Sequence, residues 1–304
     1  MTSLLQDLAN LYDKYQAELE YDVAPFTLDG KEVDTDTSPI LMGVVNLSRQ
    51  STYRESVAPS LTDAIRRGKI FSAQGAHLVD IGAESSRADA RRISVPEQLE
   101  TITPVIEALS RHGIPTSIES YEVEVISGAL DAGAQMVNFS GTKNEQSVYE
   151  MIGSRGASLI MCFTPGQTVR DGIPVEVKPD PVPELINHFG PRLELASAFG
   201  VRSVAVDPGI GFDYGNGLDP IVKMRHQAQM LLHTFRLRRL GVPTCQILPH
   251  AFDLFQEEFR TAEGLFAVLA DIGRVGIMRV HEVSRVAASL RFTSTVAVEP
   301  GDQE

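Results

Sequence analysis

The chain is poor in cysteine, short of basic residues and free of any long apolar run. Its only thiols, Cys162 and Cys245, sit inside apolar stretches without a CxxC partner. That excludes a disulfide framework and a thiolate zinc site, and it predicts two buried thiols in a reducing compartment. Lys and Arg number 27 against 40 Asp and Glu, a formal charge of −13 at pH 7. Such a surface repels phosphate backbones and anionic bilayers, so neither nucleic acid nor a membrane is an expected partner. No apolar run approaches the length of a membrane span. The first residues include acids and lack a basic-then-apolar leader, so the expected location is cytoplasmic. Walker, GxGxxG and GxSxG motifs are all missing, which leaves Ser-His-Asp catalysis and phosphate-loop chemistry without local support.

What the chain does have is a repeat of strand, polar strand end and helix, about eight times over 304 residues. Leu4, Leu8, Leu11, Tyr15 and Leu19 recur at helical spacing and predict an amphipathic helix over 3–20. Asp29-Gly30 between strand formers predicts a hairpin over 26–33, placed to plug the bottom of a barrel. Strands are expected at 40–46, 77–81, 115–118, 135–138, 158–162, 204–207, 243–247 and 276–281. Helices are expected at 62–74 with Thr62 as N-cap, 95–111, 122–132, 144–155, 183–199, 218–240, 260–272 and 282–292, with a frayed tail from Thr293. Parallel strands need helical crossovers, and this alternation supplies one after each strand. The expected fold is a TIM (β/α)8 barrel over 39–304, preceded by a helix and hairpin extension over 1–38. The long Pro- and Gly-containing loop 164–183 suits a lid or binding loop.

Barrels of this kind carry their sites at the C-terminal ends of the strands. Asn46, Glu84 to Arg87, Glu119, Asn138, Asp207, Gln246, Arg279 and His281 all fall there. Asp207 ends its strand abruptly at Pro208-Gly209, which pushes a carboxylate to the mouth. Asn138, Asp207 and Glu119 together suit a flat heterocycle with an amino group and ring NH groups, because a carboxylate accepts two parallel hydrogen bonds from such an edge. Arg279 and His281 alternate on one strand and, with Asn46, Ser86 and Arg87, would make an anion-binding corner. The blander alternative pairs Arg279 with a neighbouring carboxylate such as Glu84. His226 and His233, on one face of the 218–240 helix, are expected to be surface or core residues rather than ligands.

These pieces resemble, in order, the motifs of dihydropteroate synthase and its pterin-binding relatives. Leu41-Met-Gly-Val-Val-Asn46 resembles the MGxxN segment, Asp80-Ile-Gly-Ala-Glu-Ser-Ser-Arg87 the DxGGESTR loop and Ser117-Ile-Glu-Ser120 the SxDT strand. Met136-Val-Asn138 resembles the IIND segment, Asp207-Pro-Gly-Ile-Gly-Phe212 the DPGxGF motif and Arg279-Val-His-Glu-Val283 the RVHDV motif. The resemblance implies a barrel that holds a reduced pterin in its mouth. Asn138 and Asp207 would grip the aminopyrimidine edge, with Phe212 near the substrate. Asn46, Ser86, Arg279 and His281 would line the diphosphate pocket, Asn46 near a magnesium ion. In the family the diphosphate leaves and 4-aminobenzoate attacks the pterin methylene. Family analogy also implies a homodimer.

The departures change the expectation. Arg49-Gln-Ser-Thr-Tyr-Arg54 lacks the acid and Phe of the family's first loop, and Glu119, Phe139 and Cys162 replace an Asp, an Asp and a His. The strand-seven stretch Gln246-Ile-Leu-Pro-His-Ala-Phe252 carries no Lys or Arg where the family's SRK lysine holds the pterin. Beyond Phe212, Asp213-Tyr214 stands in place of Gly-Lys. A repurposed enzyme is the leading expectation: it would bind a reduced pterin or tetrahydrofolate derivative and pass a methyl or methylene group to a small-molecule acceptor. Gln246, His250 or Glu119 would act as donor or proton source near pterin N5. An ordinary dihydropteroate synthase and a non-catalytic pterin-binding paralogue are the alternatives.

Overall fold

In the computed structural model of the chain, residues 3–51, 53–212, 214–215 and 217–296 are described. Helix α1 (Leu4–Tyr15) continues as a 3-10 turn over Gln16–Glu20 and leads to a hairpin of β1 (Phe26–Leu28) and β2 (Lys31–Val33). The hairpin turn carries Asp29 at φ 51° and Gly30 at φ 69°, the left-handed pair that a two-residue hairpin requires. Eight parallel strands follow: β3 (Ile40–Asn46), β4 (Leu78–Gly82), β5 (Thr116–Ser120), β6 (Met136–Phe139), β7 (Ser158–Cys162), β8 (Val204–Asp207), β9 (Cys245–Ile247) and β10 (Ile277–Val280). They pair in the order β8-β7-β6-β5-β4-β3-β10-β9, and a parallel bridge between Val206 and Thr244 closes the ring.

The crossovers are α2 (Leu61–Ala73), α3 (Val95–Arg111), α4 (Val123–Asp131), α5 (Glu145–Arg155), α6 (Val182–Ala198), α7 (Pro220–His233), a short α8 (Phe252–Phe255), α9 (Phe259–Ile272) and α10 (Val283–Val296). The first differs from expectation at its cap. Ser60, not Thr62, accepts the N–H of Asp63 and bonds its carboxylate in return, so the helix begins at Leu61. The helix expected over 218–240 stops at His233 and tightens into a 3-10 stretch over Thr234–Leu240, ended by Gly241 at φ 70°. The expected fraying at Thr293 does not occur: α10 runs on to Val296, and the rest of the tail lies outside the described residues.

Strand alternation divides the core in two. Leu41, Val45, Val79, Ile81, Val137 and Met278 face the helices. Ile40, Met42, Leu78, Met136, Ile160 and Ile277 face the barrel axis, with Phe26 and Leu28 of the hairpin packed among them. The hairpin thus plugs the N-terminal end. It is held there by Ser203, whose hydroxyl accepts the Thr27 N–H, and by Ser158, whose hydroxyl donates to the Thr27 carbonyl. Burying Phe26 and Leu28 contributes roughly 1.5–3 kcal/mol each. With that end filled by apolar side chains, the inward positions further along each strand are free to be polar, and this builds the site.

Candidate active site at the strand ends

Moving up each strand by two residues replaces the apolar set with polar groups. Asp80 follows Leu78, Glu119 follows Ser117, Asn138 follows Met136, Cys162 follows Ile160, Asp207 follows Ala205 and Arg279 follows Ile277. Arg279 lies at their centre. Its Nε donates to Asp80 Oδ2 at 2.7 Å, and its Nη2 donates to Glu119 Oε2. Asn138 Nδ2 donates to the same Asp80 oxygen at 3.2 Å, and the Cys162 thiol donates to Asn138 Oδ1 at 3.2 Å. Asp80 Oδ1 is buried with no protein partner. On the strand next to that of Cys162, Asp207 accepts, among the described residues, only the N–H of Gly209, at 2.7 Å, where Gly209 at φ 78° turns the chain back.

Burial sets the electrostatics. It raises the Asp207 carboxyl to about 7, with the Gly209 N–H and Arg279 opposing. It also raises Glu119, again against the pull of Arg279. For Arg279 burial pulls downward, but Glu119 and Asp80 outweigh it and hold the guanidinium above its ordinary range. Burial keeps both thiols well above the usual range, so Cys162 and Cys245 are protonated at neutral pH rather than nucleophiles.

The structure brings Asn138, Asp207, Glu119 and Arg279 together on the inward face. Phe212 packs against the axial cluster beside Gly209, over the same mouth. Asn46 donates from Nδ2 to Ser51 and Ser56, at 2.9 and 2.6 Å. A Cβ placed on Gly82 would lie 3.6 Å from Asn46 Oδ1 and 3.5 Å from Glu119 Oε2. The missing side chain therefore leaves a small space between two oxygen donors. Ser86 and Glu119 line one narrow cleft with Glu84, Ser85 and Tyr121.

Other expected residues go elsewhere. Gln246 is fully buried and points outward, because its neighbour Cys245 is the one facing the axis. It donates to Thr234 in the helical layer, so it does not reach a ligand in the mouth. Arg87 forks onto Asp89 in an exposed loop, and Arg279 is committed to Asp80 and Glu119 rather than to Glu84. The expected anion corner is therefore not assembled around Arg279. His281 lies beyond the last residue of β10, so alternation no longer governs it, and it pairs with Glu263 of α9 at 2.9 Å. His250 lies under Tyr53 with ring centroids 4.1 Å apart. His226 is a buried core residue and His233 is half-buried. Asp213 and Thr52 lie outside the described residues.

Three further residues belong to the candidate site or its surroundings. Asp80 stands within the β4 motif, and inward parity with Leu78 marks it. Glu263 is a single acid in the apolar run Ala262 to Ala270, which is the mark of a buried carboxylate. Arg170 is buried in the 164–183 loop and donates to the carbonyls of Ser85 and Ala90, tying that loop to the β4 loop. Only a fold can show that last contact. Beneath the same loop, a cavity of about 370 Å3 runs along Phe163, Pro174, Leu185, Pro208 and Tyr214, to one side of the polar ring.

Comparison with known proteins follows this geometry. The family profile described as pterin binding enzyme matches residues 42–245. The dihydropteroate synthase of Synechocystis sp. is 31% identical over 261 residues, 81% of this chain and 86% of that protein. The Xanthomonas albilineans dihydropteroate synthase solved with 4-aminobenzoic acid superposes with a TM-score of 0.74 at 26% identity, covering 91% of this chain and all of that one. The Yersinia pestis dihydropteroate synthase solved with a sulfonamide superposes at 0.76 with 22% identity over 89% and 98%, a likeness of fold. The match extends over most of the barrel and over most of each relative, and the chain therefore belongs to the dihydropteroate synthase family of pterin-binding enzymes.

Proposed function

We propose that the chain catalyses the dihydropteroate synthase reaction: an arylamine of the 4-aminobenzoate class displaces diphosphate from the methylene of a reduced hydroxymethylpterin diphosphate. The carbon–oxygen bond to diphosphate breaks, a carbon–nitrogen bond forms, and the amine loses a proton. The observation that carries this reading is the state of Asp207, a buried strand-end carboxyl with one backbone N–H for company. Two strands away Asn138 presents an amide of which Nδ2 makes one hydrogen bond, to Asp80, and among the described residues Asp80 Oδ1 has no partner. An aminopyrimidine edge would supply the missing donors to these acceptors. Phe212 would cover the ring. Glu119 stays the candidate for taking the amine's proton, because it lies within the ring itself.

Magnesium fits the oxygens flanking Gly82. Asn46 Oδ1 and Glu119 would hold it, and such an ion supplies positive charge to a departing diphosphate. Ser86 would lie on the diphosphate side, and Arg87 would have to leave Asp89 to join it. One-carbon transfer takes second place. It needs a donor at pterin N5, and Gln246, one of its three candidates, is turned into the helical layer. We also propose a homodimer. Leu4 and Leu5, 64% and 77% exposed on α1, offer one apolar surface for it, and a sedimentation equilibrium that fits a monomer would refute this.

The test is incubation with hydroxymethyldihydropterin diphosphate, 4-aminobenzoate and magnesium, followed by chromatography for dihydropteroate. Product at an enzymatic rate supports the reading. Pterin binding without product, combined with transfer of label from methyltetrahydrofolate, would replace it with one-carbon chemistry. Binding with neither reaction would leave a non-catalytic pterin-binding protein.

A further inference from the structure

His250, Glu263 and His281 come from the β9 loop, helix α9 and the end of β10, and their donor atoms all lie within 4.8 Å of one another. None belongs to the ring around Arg279. Glu263 is fully buried, packed in α9 between Ala262 and Phe266. It accepts the backbone N–H groups of His281 and Glu282, the latter at 2.7 Å, and it meets His281 Nδ1 at 2.9 Å. These contacts fix the carboxylate and one imidazole in place.

His250 is different. Both its ring nitrogens are buried, and among the described residues neither has a hydrogen-bond partner. Its Nδ1 approaches Glu263 Oε1 to 3.6 Å, too long for a bond, and its ring stacks on Tyr53 at 24° between planes. A buried imidazole needs one acceptor and one donor satisfied, and each group left unmatched costs about 1–3 kcal/mol. Phe252 packs with its ring centroid 5.3 Å from that of His250 and offers no hydrogen bond.

We propose that His250, Glu263 and His281 form a binding site for a divalent first-row transition-metal ion of the zinc type, apart from the oxygen donors at Gly82. Two imidazoles and a carboxylate are a borderline donor set that favours zinc, cobalt or iron(II) over magnesium. With bonds of about 2.1 Å, tetrahedral donors stand about 3.4 Å apart, so the present spacing must close by up to roughly 1.4 Å. His250 has no hydrogen bond to break and is the side chain that moves. His281 gives up its bond to Glu263 and carries its proton on Nε2, and any proton on Glu263 passes to solvent. Tyr53, held through Glu282, stays as the lid over His250.

The site is tested by metal binding, independently of any pterin reaction. Protein stripped with chelator is titrated with Co2+ and followed by visible absorption, then with Zn2+ by calorimetry. One equivalent per chain is expected, with a cobalt spectrum free of thiolate charge-transfer bands that zinc abolishes. His250→Ala should weaken zinc on the order of 100-fold while circular dichroism stays unchanged. Glu263→Gln should do the same, and His250→Ala carries the test should the glutamine variant fail to fold. Absence of the cobalt spectrum, thiolate bands in it, or equal zinc affinity in His250→Ala would overturn the assignment.

Discussion

Replacing Asp207 with asparagine separates the stability of this barrel from its binding. Burial raises the carboxyl from 3.8 to about 7, with Gly209 and Arg279 opposing. Because an acid with a raised folded pKa holds its proton longer in the native state, the native chain binds more protons than the unfolded one between these values. Stability of the ligand-free protein therefore falls as pH rises from about 4 to about 7 and is flat on either side, as far as this group is concerned. At about 1.36 kcal/mol per pH unit, the full effect is roughly 4 kcal/mol, a ceiling that relaxation and entering water reduce. Asparagine keeps an oxygen for the Gly209 N–H and carries no charge. Asp207→Asn should thus match the wild type near pH 4 and exceed it by about 2 kcal/mol at pH 8. Urea unfolding at both pH values measures this. Pterin affinity should move the other way, by about 10- to 100-fold, because a charge-assisted pair becomes a neutral one. An asparagine variant that is less stable than wild type at pH 8, or that keeps its pterin affinity, would refute the placement of Asp207 as a buried, under-solvated acceptor.

Three further outcomes follow from the same geometry. Arg279→Met strips the cation from Asp80 and Glu119 and should cost about 3–5 kcal/mol in urea unfolding, and a loss under 1 kcal/mol would show that the ring is not buried as described. Phe26→Ala empties the plug and should cost about 3–5 kcal/mol, with pterin affinity retained if the hairpin serves only stability. Gln246→Leu replaces a buried side chain whose Oε1 has no partner, so stability should change by less than about 1.5 kcal/mol and turnover should persist; a folded variant with turnover lost more than tenfold would return Gln246 to the site.

The strands and the helices between them were legible because each announces itself locally. Apolar runs end at polar residues, Pro96 stands in the first turn of α3, and Gly133 at φ 105° closes α4. What was not legible depends on parity and on distant partners. Gln246 and Asp207 look alike in sequence, each a polar residue at the end of a strand. Counting in twos from the axial residues Cys245 and Ala205 turns one outward and the other inward, and that count needs the barrel's axial set to be known. His281 fails for the opposite reason: alternation was applied one residue past the end of the strand. Asp80 was visible as part of a motif, but its partner Arg279 is 199 residues away. The pairing was therefore invisible even though both residues were quoted.

The ring explains why one carboxylate rather than another should meet the ligand. Asp80 and Glu119 share Arg279, and Asn138 adds a donor to Asp80. Both carboxylates therefore have a cationic partner in place before any ligand arrives. Asp207 has no side-chain hydrogen bond, only the Gly209 N–H, and its raised pKa is the trace of that deficit. A ligand edge with two N–H donors would return Asp207 to the ionised state and be held by the free energy that burial had withheld. Affinity for such a ligand should then be coupled to proton release below pH 7, and calorimetry in buffers of different ionisation enthalpy would read it. Close to one proton released per ligand at pH 6 is expected, falling toward zero at pH 8. Binding without proton release at pH 6 would mean that Asp207 is already ionised in the free protein and that its burial is relieved in some other way.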